Sequence, residues 1–172
     1  ADVSVKTGRS GSLCFVTVRH RIEAGGRHVL DDIQSIVYRD VPPSGASGSA
    51  AAPSPAPEGA HRKPMDPSTP LLFRYSALMF NAHRIHYDRD YATGVEGYPG
   101  LVVQGPLMAT LMFRLATNVH GRRPDRFVYR GETPLFDTEP FAVHARPDGA
   151  GLELWTARQG GPVAMRSSAH WR

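Results

Sequence analysis

The chain has 172 residues, 41% hydrophobic and 21% charged, a mix that suits one compact domain or one and a half small ones and excludes a disordered chain. Its formal net charge is +4, yet the basic residues are scattered and do not interleave with aromatics, which argues against a nucleic-acid or membrane-surface partner. Apolar runs such as Val102-Val103 and 107–113 fall far short of the ~20 residues that cross a bilayer, and Cys14, the only cysteine, excludes an internal disulfide and a multi-thiolate zinc site.

No basic-then-apolar leader is visible at the start, so no secretory signal is expected. Residues 12–21 and 29–39 are rich in β-branched and aromatic types, and Glu23-Ala24-Gly25-Gly26 stands between them as a turn. This predicts a long β-hairpin, which is marginal alone and must lie on something else. Residues 41–70 carry Pro42, Pro43, Pro53, Pro55, Pro57, Pro64, Pro67 and Pro70 among Gly, Ala and Ser, and read as a linker or long surface loop. Leu71 to Tyr75 read as a short strand or extended entry, and residues 76–93 hold the densest group of ionisable side chains.

Pro106 suits the first turn of a helix, where its missing N–H is not needed. The helix runs to about His120, with Leu107, Leu111, Leu115 and Val119 in one row and Met108 and Met112 beside it. Thr110, Arg114 and Asn118 form a narrow polar row, so the helix is nearly surrounded by protein. Gly121 ends it. Residues 126–130, 139–146, 151–158 and 163–171 read as strands, joined by turns at Pro147-Asp148-Gly149 and Gln159-Gly160-Gly161. A buried helix followed by an antiparallel meander predicts the α+β class, a curved sheet wrapped round a helix.

The block Asn81-x-His83-Arg84-Ile85-His86-Tyr87-Asp88, followed by Gly100-Leu101-Val102-Val103-x-Gly105-Pro106-Leu107, resembles the MaoC-like hotdog dehydratases. Within them it is most similar to the branch of type 2 3-hydroxyacyl-thioester dehydratases and mesaconyl- and itaconyl-CoA hydratases. Lys6-Thr7-Gly8-Arg9-Ser10-Gly11 and the strands after it look like the closing part of the N-terminal hotdog in such two-part proteins. The resemblance implies closing strands of an incomplete N-terminal hotdog over 1–40, a linker over 41–70 and a C-terminal hotdog over 71–172. It also implies a hydro-lyase acting on an acyl thioester of coenzyme A or acyl carrier protein, with no cofactor and no metal. A homo-oligomer, or pairing with a complementary hotdog half, is expected, in the cytoplasm or in the mitochondrial matrix of a eukaryote.

Hydration of an enoyl thioester needs a base for water, a proton for the α-carbon and a donor to the thioester oxygen. His86 occupies the family's catalytic histidine position, and imidazole exchanges protons near neutrality; the competing role is a histidine bonded to backbone. Asn81 stands where many relatives have Asp and can orient water or substrate but cannot take a proton as a carboxylate does; the competing role is a loop cap. His83 and Asp88 are candidates for the missing acid or for orienting His86. Arg84 suits a planar anion on the substrate. The resemblance implies that the Gly105 N–H, at the positive end of the buried helix, receives the thioester carbonyl. Gln104 departs from the histidine expected there and is a candidate substrate contact. His83, His86, Asp88 and Asp90 also admit a metal reading, which the resemblance does not favour. The rival functions are a hotdog thioesterase, disfavoured because no Asp or Glu lies between Pro106 and His120, and a non-catalytic thioester-binding or supporting subunit.

Overall fold

The computed structural model describes residues 1–8, 11–39 and 53–172. Arg9 and Ser10 of the N-terminal motif, and the 41–52 part of the Pro-rich stretch, lie outside the described residues. The chain forms two compact units, Ala1–Ala51 and Ala52–Arg172.

The first unit is an antiparallel sheet of β1 (Asp2–Gly8), β2 (Gly11–Ala24) and β3 (Arg27–Arg39), in that order. The hairpin forms where the sequence predicts it, and β1 adds a strand that composition did not announce. Gly25 and Gly26 both have positive φ, 57° and 72°, the backbone that a two-residue turn matching strand twist demands. No atom crowds either glycine, so dihedral freedom and not space requires them. Pairing places Val3, Val16 and Ile36 in one row and Val5, Cys14 and Tyr38 in the next row of the same face. Val3, Val5 and Tyr38 are more than half exposed.

The second unit is built round α3 (Gly105–His120). Its sheet contains β4 (His61–Met65), β5 (Arg126–Gly131), β6 (Phe141–Asp148), β7 (Gly151–Arg158) and β8 (Met165–His170) in the spatial order β4-β6-β7-β8-β5, antiparallel throughout. Leu107, Met108, Met112, Leu115 and Ala116 of α3 pack on Phe141, Val143, Ala145, Leu152, Leu154 and Ala169 of the sheet. Burying such side chains contributes roughly 1.5–3 kcal/mol each. Thr110, Arg114 and Asn118 face solvent, as the periodicity requires. Two hydroxyls reach into the core from the sheet, Thr156 onto Met108 Sδ and Ser167 onto Met112 Sδ, each at 3.4 Å. Gly121 closes α3 with φ 84° and an N–H bonded to Thr117 O. The meander is β6-β7-β8, whereas β5 crosses to the far side of β8.

One element differs from the sequence reading. Residues 71–75 are helical, inside α1 (Thr69–Leu78). Four apolar or aromatic residues around Arg74 fit a strand locally, but Pro70 starts a helix well, and Leu72 and Ser76 fall one turn apart on the buried side. Within the linker or long surface loop expected over 41–70, the described residues dock within the second unit and continue into β4. Ala56 N–H donates to Gly161 O at 2.8 Å, and Trp155 Nε1–H donates to Pro57 O at 3.1 Å. β4 then pairs with β6 at the sheet edge, where Pro64 is tolerated. Proline runs hide such a role because extended backbone docks through carbonyls and small side chains without hydropathy periodicity.

Candidate active site

Short elements between α1 and α3 carry the ionisable cluster. Phe80, φ 50° and 96% exposed, turns the chain after α1, and Asn81 N–H returns to Ser76 O at 2.9 Å. The Asn81 side-chain oxygen then accepts the His83 N–H at 3.1 Å, an Asx-type turn. The next residues, Arg84–His86, form a single 3-10 turn, followed by α2 (Arg89–Gly94).

His86 ends the 3-10 turn and is buried. Its Nδ1 lies 2.7 Å from Val102 O. A carbonyl only accepts, so Nδ1 carries the hydrogen and Nε2 keeps the lone pair when the ring is neutral. Val102 N–H in turn donates to Ile85 O at 2.9 Å, tying the same two segments in both directions. Burial pushes the His86 pKa down, the Val102 bond raises it, and the neighbouring His83 lowers it again. Burial dominates, so the ring is neutral near pH 7 and its Nε2 is available as a base. The His83 ring, on the exposed side, meets that of His86 edge-on at 5.5 Å.

Asp88 makes no bond to His86. It caps α2, accepting Tyr91 N–H at 3.1 Å, and receives Arg84 at 3.0 and 2.7 Å. The Tyr91 N–H first and the Arg84 guanidinium second hold its carboxyl below the ordinary range. Arg84 also lies 4.2 Å over the Tyr91 ring. Arg84 and Asp88 therefore brace the start of α2 together.

Gln104 is 1% exposed and sits in the N-cap position of α3. Its Nε2 donates to Leu72 O at 2.8 Å and Ser76 Oγ at 3.0 Å, fastening α1 to the start of α3. An amide nitrogen supplies both donors where a neutral imidazole supplies one. Its Oε1 is buried without a donor among the described residues. Gly105 opens α3, in the turn whose N–H groups have no intrahelical acceptor. Val102, which holds His86, precedes Gly105 by three residues, so their Cα atoms are at most about 11 Å apart. His86 and the helix end thus share one short segment.

Residues that composition and motif did not single out support this segment. Val103 N–H donates to Leu135 O at 2.8 Å, and Val102 bridges to Phe136. The Asp137 side chain, 2% exposed, accepts Leu101 N–H at 2.8 Å and Thr69 Oγ1 at 3.4 Å and pairs with Arg89. Asp137 lies 36 residues beyond Leu101, with no local signal that links them. A surface cleft of about 220 Å³ is lined by Thr133, Pro134, Phe136 and Arg158, and does not include His86 or Gly105. Among the described residues no three His, Cys, Asp or Glu side chains gather as metal ligands would.

Comparison with known proteins places the chain among acyl-thioester hydratases and dehydratases. The chain is 42% identical over 175 aligned positions to a mesaconyl-C(4)-CoA hydratase of Chloroflexus aurantiacus, covering 97% of this chain and 59% of that protein. It is 40% identical over 95 positions to the mitochondrial hydroxyacyl-thioester dehydratase type 2 of Schizosaccharomyces pombe, covering 54% of this chain and 31% of that one. A solved MaoC-like dehydratase of Phytophthora capsici superposes with a TM-score of 0.71 at 16% identity, over 99% of this chain and 60% of that chain, which shows the hotdog fold. The chain therefore spans less than two thirds of the length of these relatives. A family model described as hydroxyacyl-thioester dehydratase type 2 matches residues 3–137, and the chain belongs to that family.

Proposed function

We propose that the chain carries the catalytic face of a hydro-lyase that reversibly adds water across the double bond of an enoyl thioester. The supporting observation is the 2.7 Å bond from His86 to Val102 O, because it leaves Nε2 of a neutral ring as the base. In the hydration direction Nε2 takes a proton from water while the water oxygen bonds to the β-carbon. The π electrons shift towards the thioester oxygen, which the Gly105 N–H and the positive end of α3 stabilise. The proton on Nε2 then returns to the α-carbon, so one imidazole serves as base and acid. Asn81, its oxygen held by His83 N–H, contributes its amide NH₂ to water or substrate.

The acyl group belongs to the range of 3-hydroxyacyl and branched C5-dicarboxylate thioesters, as the names of the relatives suggest, carried on coenzyme A or acyl carrier protein. No cofactor takes part in the steps above. The apolar face of the first unit, with Val3 and Val5 exposed, supports pairing with a companion hotdog half, from a second copy or another chain. The proposed location is the cytoplasm, or the mitochondrial matrix in a eukaryote. Among the described residues no helix is long and apolar enough to cross a membrane.

The test is loss of enoyl absorbance with crotonyl-CoA and mesaconyl-CoA. His86→Ala should lower the rate by about 10²–10⁴-fold, the usual contribution of a positioned acid–base group. An unchanged rate would remove His86 from the mechanism, and release of free thiol would indicate a thioesterase. The use of the Asn81 oxygen in a turn favours a second reading, a non-catalytic binding subunit, and absence of any turnover with measurable thioester binding would select it.

A further inference from the structure

Asp137 stands outside the motif that carries His86, yet three segments of the site meet on it. Its side chain is 2% exposed, which for an ionised carboxylate demands compensating donors. Leu101 N–H donates to Oδ1 at 2.8 Å, the Thr69 hydroxyl to Oδ2 at 3.4 Å, and the Arg89 guanidinium spans both oxygens. Asp137 N–H also donates to Leu101 O at 3.0 Å, so Leu101 is held through both of its backbone polar groups. Thr69 opens α1, Arg89 opens α2 just after the 3-10 turn of His86, and Leu101 immediately precedes Val102. Gly100 lies directly under the carboxylate: a Cβ there would stand 2.6 Å from Asp137 Oδ1 and 2.9 Å from Thr138 Cγ2.

We infer that Asp137, with Arg89, is the positioning residue of the site, fixing the Val102 carbonyl against His86 so that the Nδ1–H tautomer is enforced. Conditional on His86 being the base, the carboxylate acts at a distance, through two segments that it ties together. Leu101 cannot shift without breaking its bond to Oδ1, and a shift at Leu101 moves the next carbonyl, the one His86 uses. Arg89 fixes the other partner, since it follows the 3-10 turn by three residues. A buried charge held by fixed donors resists such shifts more firmly than a neutral contact of the same size.

Asp137→Asn keeps an acceptor for Leu101 N–H and removes the charge that binds Arg89. The measurements are the ¹⁵N shifts of the His86 ring, which report which nitrogen carries the hydrogen, and kcat and KM for crotonyl-CoA hydration. The expected result is a mixture of His86 tautomers, with kcat lowered by up to about 10²-fold, as misplacement of order 1 Å does, and KM within about two-fold of the parent. Asp137→Glu, which restores the charge with a longer reach, should recover part of both readouts. A folded Asp137→Asn protein with an unchanged His86 tautomer and unchanged kcat overturns the inference, as does a lowered melting temperature with both readouts unmoved. Should Asp137→Asn fail to fold, Arg89→Met carries the same test from a half-exposed position. The tautomer is read without turnover, so a wrong role for Asp137 is distinguishable from a wrong role for His86, which His86→Ala reports.

Discussion

At His86 burial and the Val102 bond act in opposite directions on one imidazole, and burial has the larger effect. The base form therefore persists below the ordinary histidine pKa of ~6.5. The acid limb of kcat/KM should accordingly lie below that value. His83 also lowers the His86 pKa, so His83→Gln should move the limb to higher pH, and an unmoved limb would mean that another group titrates. Gln104 poses a different balance. Its nitrogen is well used and its Oε1 is an orphan, so Gln104→Met, similar in length, relieves the orphan but strips the donors from Leu72 O and Ser76 Oγ and should cost about 1–3 kcal/mol. Gln104→Glu places a carboxylate at 1% exposure facing the Leu72 carbonyl and should cost about 3–5 kcal/mol in denaturant unfolding. Equal midpoints for the two variants would show that Gln104 is not held as described. At this scale the motif marked His86, Asn81 and Asp88, but not that Asp88 and Arg84 serve each other, because side-chain pairing depends on where a turn points.

Among the elements, α3 was legible and α1 was not. α3 repeats its apolar spacing over four turns, whereas the five residues of 71–75 fit two periodicities equally. The segment before β4 shows a further limit, since its contribution comes from contacts remote in sequence. The Trp155 ring is fully buried, stacks on His144 at 5.5 Å and donates to Pro57 O. Trp155→Phe should keep much of the packing and lose that bond, costing about 1–3 kcal/mol by thermal or denaturant unfolding. Gly59 passes so close to β6 that a Cβ would stand 2.8 Å from Ala145 O, so Gly59→Val should destabilise by at least about 1 kcal/mol. Parent-like stability for both would mean that residues 53–60 do not bind the sheet.

Over the whole molecule, buried histidines link stability to pH. His86 and His144 both have pKa values lowered by burial, His144 despite the opposing charge of Glu58. The folded state then binds fewer protons than the unfolded chain once the pH falls below ~6.5, so stability is present above that value and declines as pH drops through the folded pKa values. Urea midpoints measured from pH 7.5 to 5 should fall in this window, and a flat profile would contradict the burial of both rings. The two units should also differ in hydrogen exchange. β7 is buried on both faces, whereas β3 is largely exposed, so β2–β3 amides should exchange well before those of β6–β8. Equal protection would indicate that a companion body covers the first sheet.

The sequence by itself determined the class, the helix α3, the hairpin and the motif that singles out His86, since each is encoded within a few turns or in one contiguous motif. Tertiary structure decided the tautomer of His86, the duties of Gln104, Arg84 and Asp88, the docking of the proline segment and the place of Asp137. Those depend on contacts between residues tens of positions apart. Such contacts exist only when the sheet has closed on its helix and burial has made every unpaired polar group costly.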